Sequence, residues 1–156
     1  MFMIVKITSD HAGYLAKEDL AKRLEAEGYT VELRGATSAE VPVSYSDMGI
    51  DFAKEIVKDN DPNIKYVAFC GSGVGISIAL NRFKKIRCAR VTNVEEAKLA
   101  KLHNNANVLC MGGRLLESNN VEAMFHEWEK TEFEGNRHIP RVNKLDEVGE
   151  DAKDLE

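Results

Sequence analysis

Short apolar runs alternate with amphipathic stretches along most of this chain. Met3 to Ile7 predicts a first strand. Tyr14 to Glu27 carries Ala16, Leu20 and Leu24 on one stripe and predicts a helix that stops at Gly28. Its wet side offers the i,i+4 pairs Glu18–Lys22 and Asp19–Arg23. Thr30 to Leu33 predicts a second strand. Asp47 to Lys58 predicts a second helix, with Ile50, Ala53, Ile56 and Val57 inward and Ser46 as its cap. Lys65 to Cys70 predicts a third strand, followed by a helix with Ile76, Ala79, Leu80 and Phe83 on its apolar face. Ile86 to Val91 predicts a fourth strand. Asn93-x-x-Glu96 resembles a capping box opening a helix toward Leu102. Asn107 to Met111 predicts a fifth strand, and Val121, Met124, Phe125 and Trp128 mark one face of a last long helix. A polar tail from Glu134 to Arg141 shows no periodicity. The acidic stretch from Asp146 is expected to be frayed or solvated.

This order of elements predicts an α/β sandwich around a mainly parallel five-stranded sheet. No repeat or linker divides it. We expect one domain over residues 1–145 and an acidic tail over 146–156. Ligands of such sheets sit at the carboxyl ends of the strands. Asp10-His11, Cys70 and Gly112-Gly113-Arg114 are therefore expected on one edge. His103 closes the helix before the fifth strand, so it needs an interface or a returning turn to join them.

Net charge narrows the function. At -5 over 156 residues, the chain lacks the basic surface that a nucleic-acid backbone requires. No apolar stretch has the length of a membrane span, and no signal-peptide pattern opens the chain. Three cysteines, Cys70, Cys88 and Cys110, form no CxxC pair and lie in or end apolar runs. That suits reduced thiols and a cytoplasmic location. Neither Cys nor His spacing supports a metal site.

The candidate chemistry centres on Cys70-Gly71-Ser72-Gly73-Val74-Gly75. A buried strand, a Gly-rich turn and a helix N-terminus aim several backbone N–H groups at one spot, a ready anion site. Cys70 is either a small core hydrophobe or a base whose thiolate the helix dipole favours. Ser72 is either a helix cap or an orienting hydroxyl. The pattern GxGxG lacks the last glycine of the dinucleotide fingerprint, and Arg90-Val91-Thr92 offers no carboxylate for a ribose, so nicotinamide chemistry is disfavoured. Asp10 and His11 start a helix through an Asx turn or face a ligand. His103 either partners its helix C-terminus or acts on a ligand. Arg114, Arg137 and Arg141 are surface charges or phosphate forks.

These segments together resemble the type B ribose-5-phosphate isomerases. That family also holds galactose-6-phosphate isomerase subunits and allose-6-phosphate isomerases. The matching pieces are Ser9-Asp10-His11-Ala12-Gly13, Cys70 through Ala79, Asn81-Arg82-Phe83-Lys84, Ile86-Arg87, His103 through Leu109, Gly112-Gly113-Arg114, and Arg137-His138 with Arg141-Val142. The resemblance runs from the first strand to about Leu145.

The resemblance implies a three-layer α/β/α Rossmann-like fold and a homodimer, or a tetramer, with active sites between subunits. It implies metal-free, cofactor-free interconversion of an aldose phosphate and a ketose phosphate. Cys70 would move a proton between C1 and C2. Ile76 stands where some members carry a glutamate base, which points to the cysteine variant. His103 would open the sugar ring, and the N–H groups of Gly71, Gly73, Val74 and Gly75 would hold the enediolate. Asp10, His11, Tyr45 and Asn104 would contact the sugar. Arg114, Arg137 and Arg141 would contact substrate and phosphate. Three departures stand out: Ser72 for a threonine, no proline after Tyr45, and Asn136 for a glycine. The expected activity is ribose 5-phosphate isomerisation. The alternatives are a six-carbon isomerase or a subunit of one, and a non-catalytic sugar-phosphate binding module.

Overall fold

The computed structural model describes residues 3–155. Five parallel strands form one sheet in the order β2-β1-β3-β5-β4. They are β1 (Ile4–Ser9), β2 (Thr30–Leu33), β3 (Lys65–Cys70), β4 (Cys88–Arg90) and β5 (Val108–Gly112). The helices are α1 (Tyr14–Ala26), α2 (Tyr45–Asp59), α3 (Val74–Leu80), α4 (Val94–Asn104), α5 (Ser118–Lys130) and α6 (Ile139–Asp146).

Strand alternation sorts the core into two faces. Val67 and Phe69 of β3 join Leu20 and Leu24 of α1, Ala97 of α4, and Phe125 and Trp128 of α5. Tyr66, Ala68 and Cys70 point the other way, against Phe52 and Ile56 of α2 and Ile76 and Leu80 of α3. From β1 the chain turns to β2 on one side and afterwards to β3 on the other. The β1/β3 boundary is therefore the topological switch point, where a crevice opens outside the carboxyl ends.

Three local expectations need correcting. The cap of α2 is Ser44, not Ser46, because its Oγ accepts the N–H groups of Ser46 and Asp47 at 3.1 and 3.3 Å. The stretch after Glu134 is not irregular throughout. Pro140 near its start suits the opening of α6, whose buried side chain is Val142. The stretch after Asp146 is partly docked. Glu150 exchanges backbone bonds with Arg82 and Lys84 at 2.8 and 2.9 Å, and Ala152 is buried in the α2/α3 face. Ends of β1, β4 and β5 are displaced by one or two residues from their expected bounds. β1 runs on to Ser9 because Thr8 and Ser9, though polar, are buried, and β4 begins only at Cys88.

Three lysines are buried among the described residues, and Lys6 is paired with Glu55 and Asp59 at 2.6 and 2.8 Å. Lys17 donates to the carbonyls of Arg34 and Ala36 at 2.7 and 2.5 Å, tying α1 to the loop after β2. Lys101 of α4 lies 4.6 Å from the centroid of the Trp128 ring. Burial, helped by Lys65 and opposed by Glu129, pushes its ammonium down to about 8. An unfolded lysine titrates near ~10.4. Between about pH 8 and 10 the unfolded chain thus holds the extra proton, and stability from this group rises with pH. Wild type should gain about 1–3 kcal/mol on Lys101→Met across that window, read as the difference between their urea midpoints at each pH.

Candidate active site

β1, β3 and β5 deliver their carboxyl ends to one edge, as the register Ser9↔Phe69 and Cys70↔Gly112 requires. Asp10 is buried there. Its Oδ1 accepts the Gly13 N–H at 2.9 Å, an Asx turn that starts α1, and Oδ2 has no partner among the described residues. The His11 Nδ1 lies 3.2 Å from the Val43 nitrogen and 3.3 Å from its oxygen, which draws the loop before α2 over this edge.

Cys70 is buried at the strand end, and its Sγ accepts the Gly73 N–H at 3.1 Å. The turn closes because Gly73 adopts φ +80°, with a missing Cβ that would sit 2.9 Å from the Met111 carbonyl carbon. Alanine there meets both a disfavoured φ and immovable backbone. Gly73→Ala should cost about 2–4 kcal/mol, measurable as a lowered urea midpoint, and should disorder the cradle. Cys110 supports the turn from behind. Its thiol, held protonated by the Cys88 contact and burial, donates to the Gly73 carbonyl at 3.1 Å.

Not every cradle amide faces outward. The Gly73 N–H is engaged by sulfur, and the Val74 N–H by Ser72 Oγ at 3.2 Å. The N–H groups of Gly75 and Ile76 have no acceptor among the described residues. The Tyr45 ring lies against Gly75, where a Cβ would come within 2.5 Å of it. The Arg114 stem covers Gly71, and its N–H donates to the Gly71 carbonyl at 3.0 Å. Arg90 was not singled out as a site residue. Its Nε donates to the Ser72 carbonyl at 3.0 Å and braces the turn. An arginine ending the strand after the glycine loop was its one sequence signal.

His103, Asn104, Arg137 and Arg141 do not join this group within the chain. α4 runs back to the amino edge and ends before β5 begins. The five residues of β5 alone separate the two edges by roughly 13 Å. At that amino edge the His103 and His138 rings stack with centroids 4.6 Å apart. The Glu134 N–H donates to the Leu102 carbonyl at 2.9 Å and docks the tail against α4. Arg137 pairs with Glu134 at 3.2 Å, while Arg141 is exposed at the start of α6. Asn104 is exposed, and its carbonyl accepts from Arg87 at 3.2 Å. His138 had no assignable partner in the sequence. Burial and the neighbouring Arg137 and His103 lower its proton affinity. His126 pairs with Glu27 at 3.0 Å, away from both groups.

Known proteins share this fold. The structure superposes on a ribose 5-phosphate isomerase from Thermotoga maritima with a TM-score of 0.87 and 36% identity, covering 94% of this chain and 99% of that one. The ribose-5-phosphate isomerase B of Mycoplasma genitalium, solved with bound ribulose-5-phosphate, gives 0.85 and 30%, over 94% and 95%. A probable ribose-5-phosphate isomerase B from that organism is 31% identical over 89% of this chain and 91% of its own length. No helix among the described residues is long and apolar enough to cross a membrane. The Ribose/Galactose Isomerase family model matches residues 5–145, and the chain belongs to that family.

Proposed function

We propose that this protein interconverts ribose 5-phosphate and ribulose 5-phosphate, with Cys70 as the carbon base. The observation that carries the reading is the Cys70 sulfur beside unpartnered amides at the switch point of the sheet. Isomerisation moves one proton from C2 to C1 and another from O2 to O1. The Cys70 sulfur takes and returns the carbon-bound proton. The Gly75 and Ile76 N–H groups lie in the first turn of α3 and donate to the developing enediolate, each worth about 3 kcal/mol of barrier. Ser72 Oγ accepts from Val74, so its own hydroxyl hydrogen is left for a substrate oxygen.

A cyclic sugar must first open, and histidine titrates in the range that step needs. His103 fits, but it stands at the far edge of the sheet. We therefore place the complete site between two copies of the chain, one giving Asp10, His11, Tyr45 and the cradle with Arg114. The other gives His103, Asn104, Arg137 and Arg141, the two arginines on the phosphate. Exposed Val74 and Ile78 beside the cradle, and Ile139 beside the tail arginines, supply apolar surface for such a contact.

The test is turnover of ribose 5-phosphate in chelator-treated buffer, with ribulose 5-phosphate followed directly. Turnover is expected. Absence of turnover on every five- and six-carbon sugar phosphate would leave only a binding module. Activity confined to six-carbon phosphates would move the assignment to the galactose branch of the family.

A further inference from the structure

We propose that His103, Glu134 and His138 form a binding site for a divalent transition-metal ion of the zinc class, and that its occupancy shuts off turnover. No local spacing announces it, since the fold joins the end of α4 to the turn before α6. His103 Nε2 and His138 Nε2 lie 3.8 and 3.9 Å from the same oxygen, Glu134 Oε2. Ligand atoms of all three side chains lie within 4.8 Å of one another.

These separations are too long for hydrogen bonds. They are close to what a shared ion needs, because two ligands about 2.0 Å from a tetrahedral zinc stand roughly 3.3 Å apart. Bringing the Glu134 oxygen about half an ångström closer to each ring nitrogen and splaying the two stacked rings at their Nε2 edges, both by side-chain rotation, completes the triangle. A second observation points the same way. His138 is 7% exposed, yet its Nε2 has no hydrogen-bond partner. A buried ring nitrogen left in that state is costly unless something binds it. A cation at the Nε2 edge of the stacked rings, in line with the ring-plane lone pair, satisfies it.

The frame around the three ligands is already set. Backbone bonds hold Glu134 to Leu102 and His138 to Gly135 at 2.9 and 3.0 Å. Arg137 takes the other Glu134 oxygen at 3.2 Å, which fixes the carboxylate and tempers the affinity with its own charge. Two imidazoles and one carboxylate suit zinc and leave a fourth position for water. An ion on His103 Nε2 occupies the lone pair that ring opening requires. That consequence rests on the role given to His103 above; binding of the ion does not.

The experiment is a zinc titration of the chelator-stripped protein against a chromophoric chelator, with turnover read in parallel. One zinc per chain is expected, with turnover falling as the site fills and returning on chelation. Glu134→Gln and His138→Asn should each weaken binding by roughly 100-fold or more. Glu134 is partly exposed, so its variant should fold even where the His138 variant does not. His126→Ala, in a separate surface cluster with Glu27 and Glu122, should leave binding unchanged. Zinc uptake unaltered by both site variants, or no uptake at micromolar zinc, overturns the site. Site-dependent uptake with undiminished turnover overturns the regulatory half.

Discussion

Cys70→Ala is expected to lower kcat about 1,000-fold while the protein stays folded and still binds sugar phosphate. A positioned base contributes roughly 100- to 10,000-fold, and the rest of the cradle survives the change. The buried Gly73 N–H loses its acceptor, which costs about 1–3 kcal/mol. That is too little to unfold a domain. Cys70→Ser separates geometry from basicity. The hydroxyl keeps an acceptor for Gly73, but it is far harder to deprotonate than a thiol. If the sulfur acts as base, serine should be nearly as inactive as alanine, with KM close to wild type in both. Equal loss in both variants with unchanged circular dichroism supports the assignment. Wild-type turnover in either one refutes it and leaves Cys70 as a buried prop for the turn.

The fold was legible because its determinants are local. Val67 and Phe69 alternate with Tyr66, Ala68 and Cys70 in a strand covered on both faces, and the Asn93 cap of α4 is written three residues before Glu96, whose N–H donates to it. The cradle was legible for the same reason, since Gly73 must supply its positive φ within the turn itself. The Ser44 cap lies two residues before the expected Ser46, because both serines flank Tyr45 and only backbone direction chooses between them. The docked tail was missed on composition. Its acidic side chains read as solvated, whereas its anchors are Ala152 and backbone bonds of Glu150. The pairing of His103 with His138 was out of reach, because it depends on where the tail returns.

Mixing two inactive variants should restore about a quarter of wild-type activity, and this tests the divided site. On the proposed roles, Cys70→Ala removes the carbon base and His103→Asn removes the ring-opening group. Each variant alone should be inactive on cyclic sugar. The reason to expect rescue is the sheet itself, which holds Cys70 at its carboxyl edge and His103 at its amino edge. If each site takes Cys70 from one chain and His103 from the other, a mixed dimer carries one doubly altered site and one intact site. Random re-association of equal amounts makes about half the dimers mixed, each with half its sites working. The mixture is dissociated in mild denaturant, returned to buffer and assayed on ribose 5-phosphate. Recovery near a quarter requires the two residues to meet across an interface. No recovery, with mixed dimers demonstrated by tagged pull-down, would mean that both act within one chain. The tail or α4 would then have to swing across the strand length, a motion the backbone bond between Glu134 and Leu102 opposes.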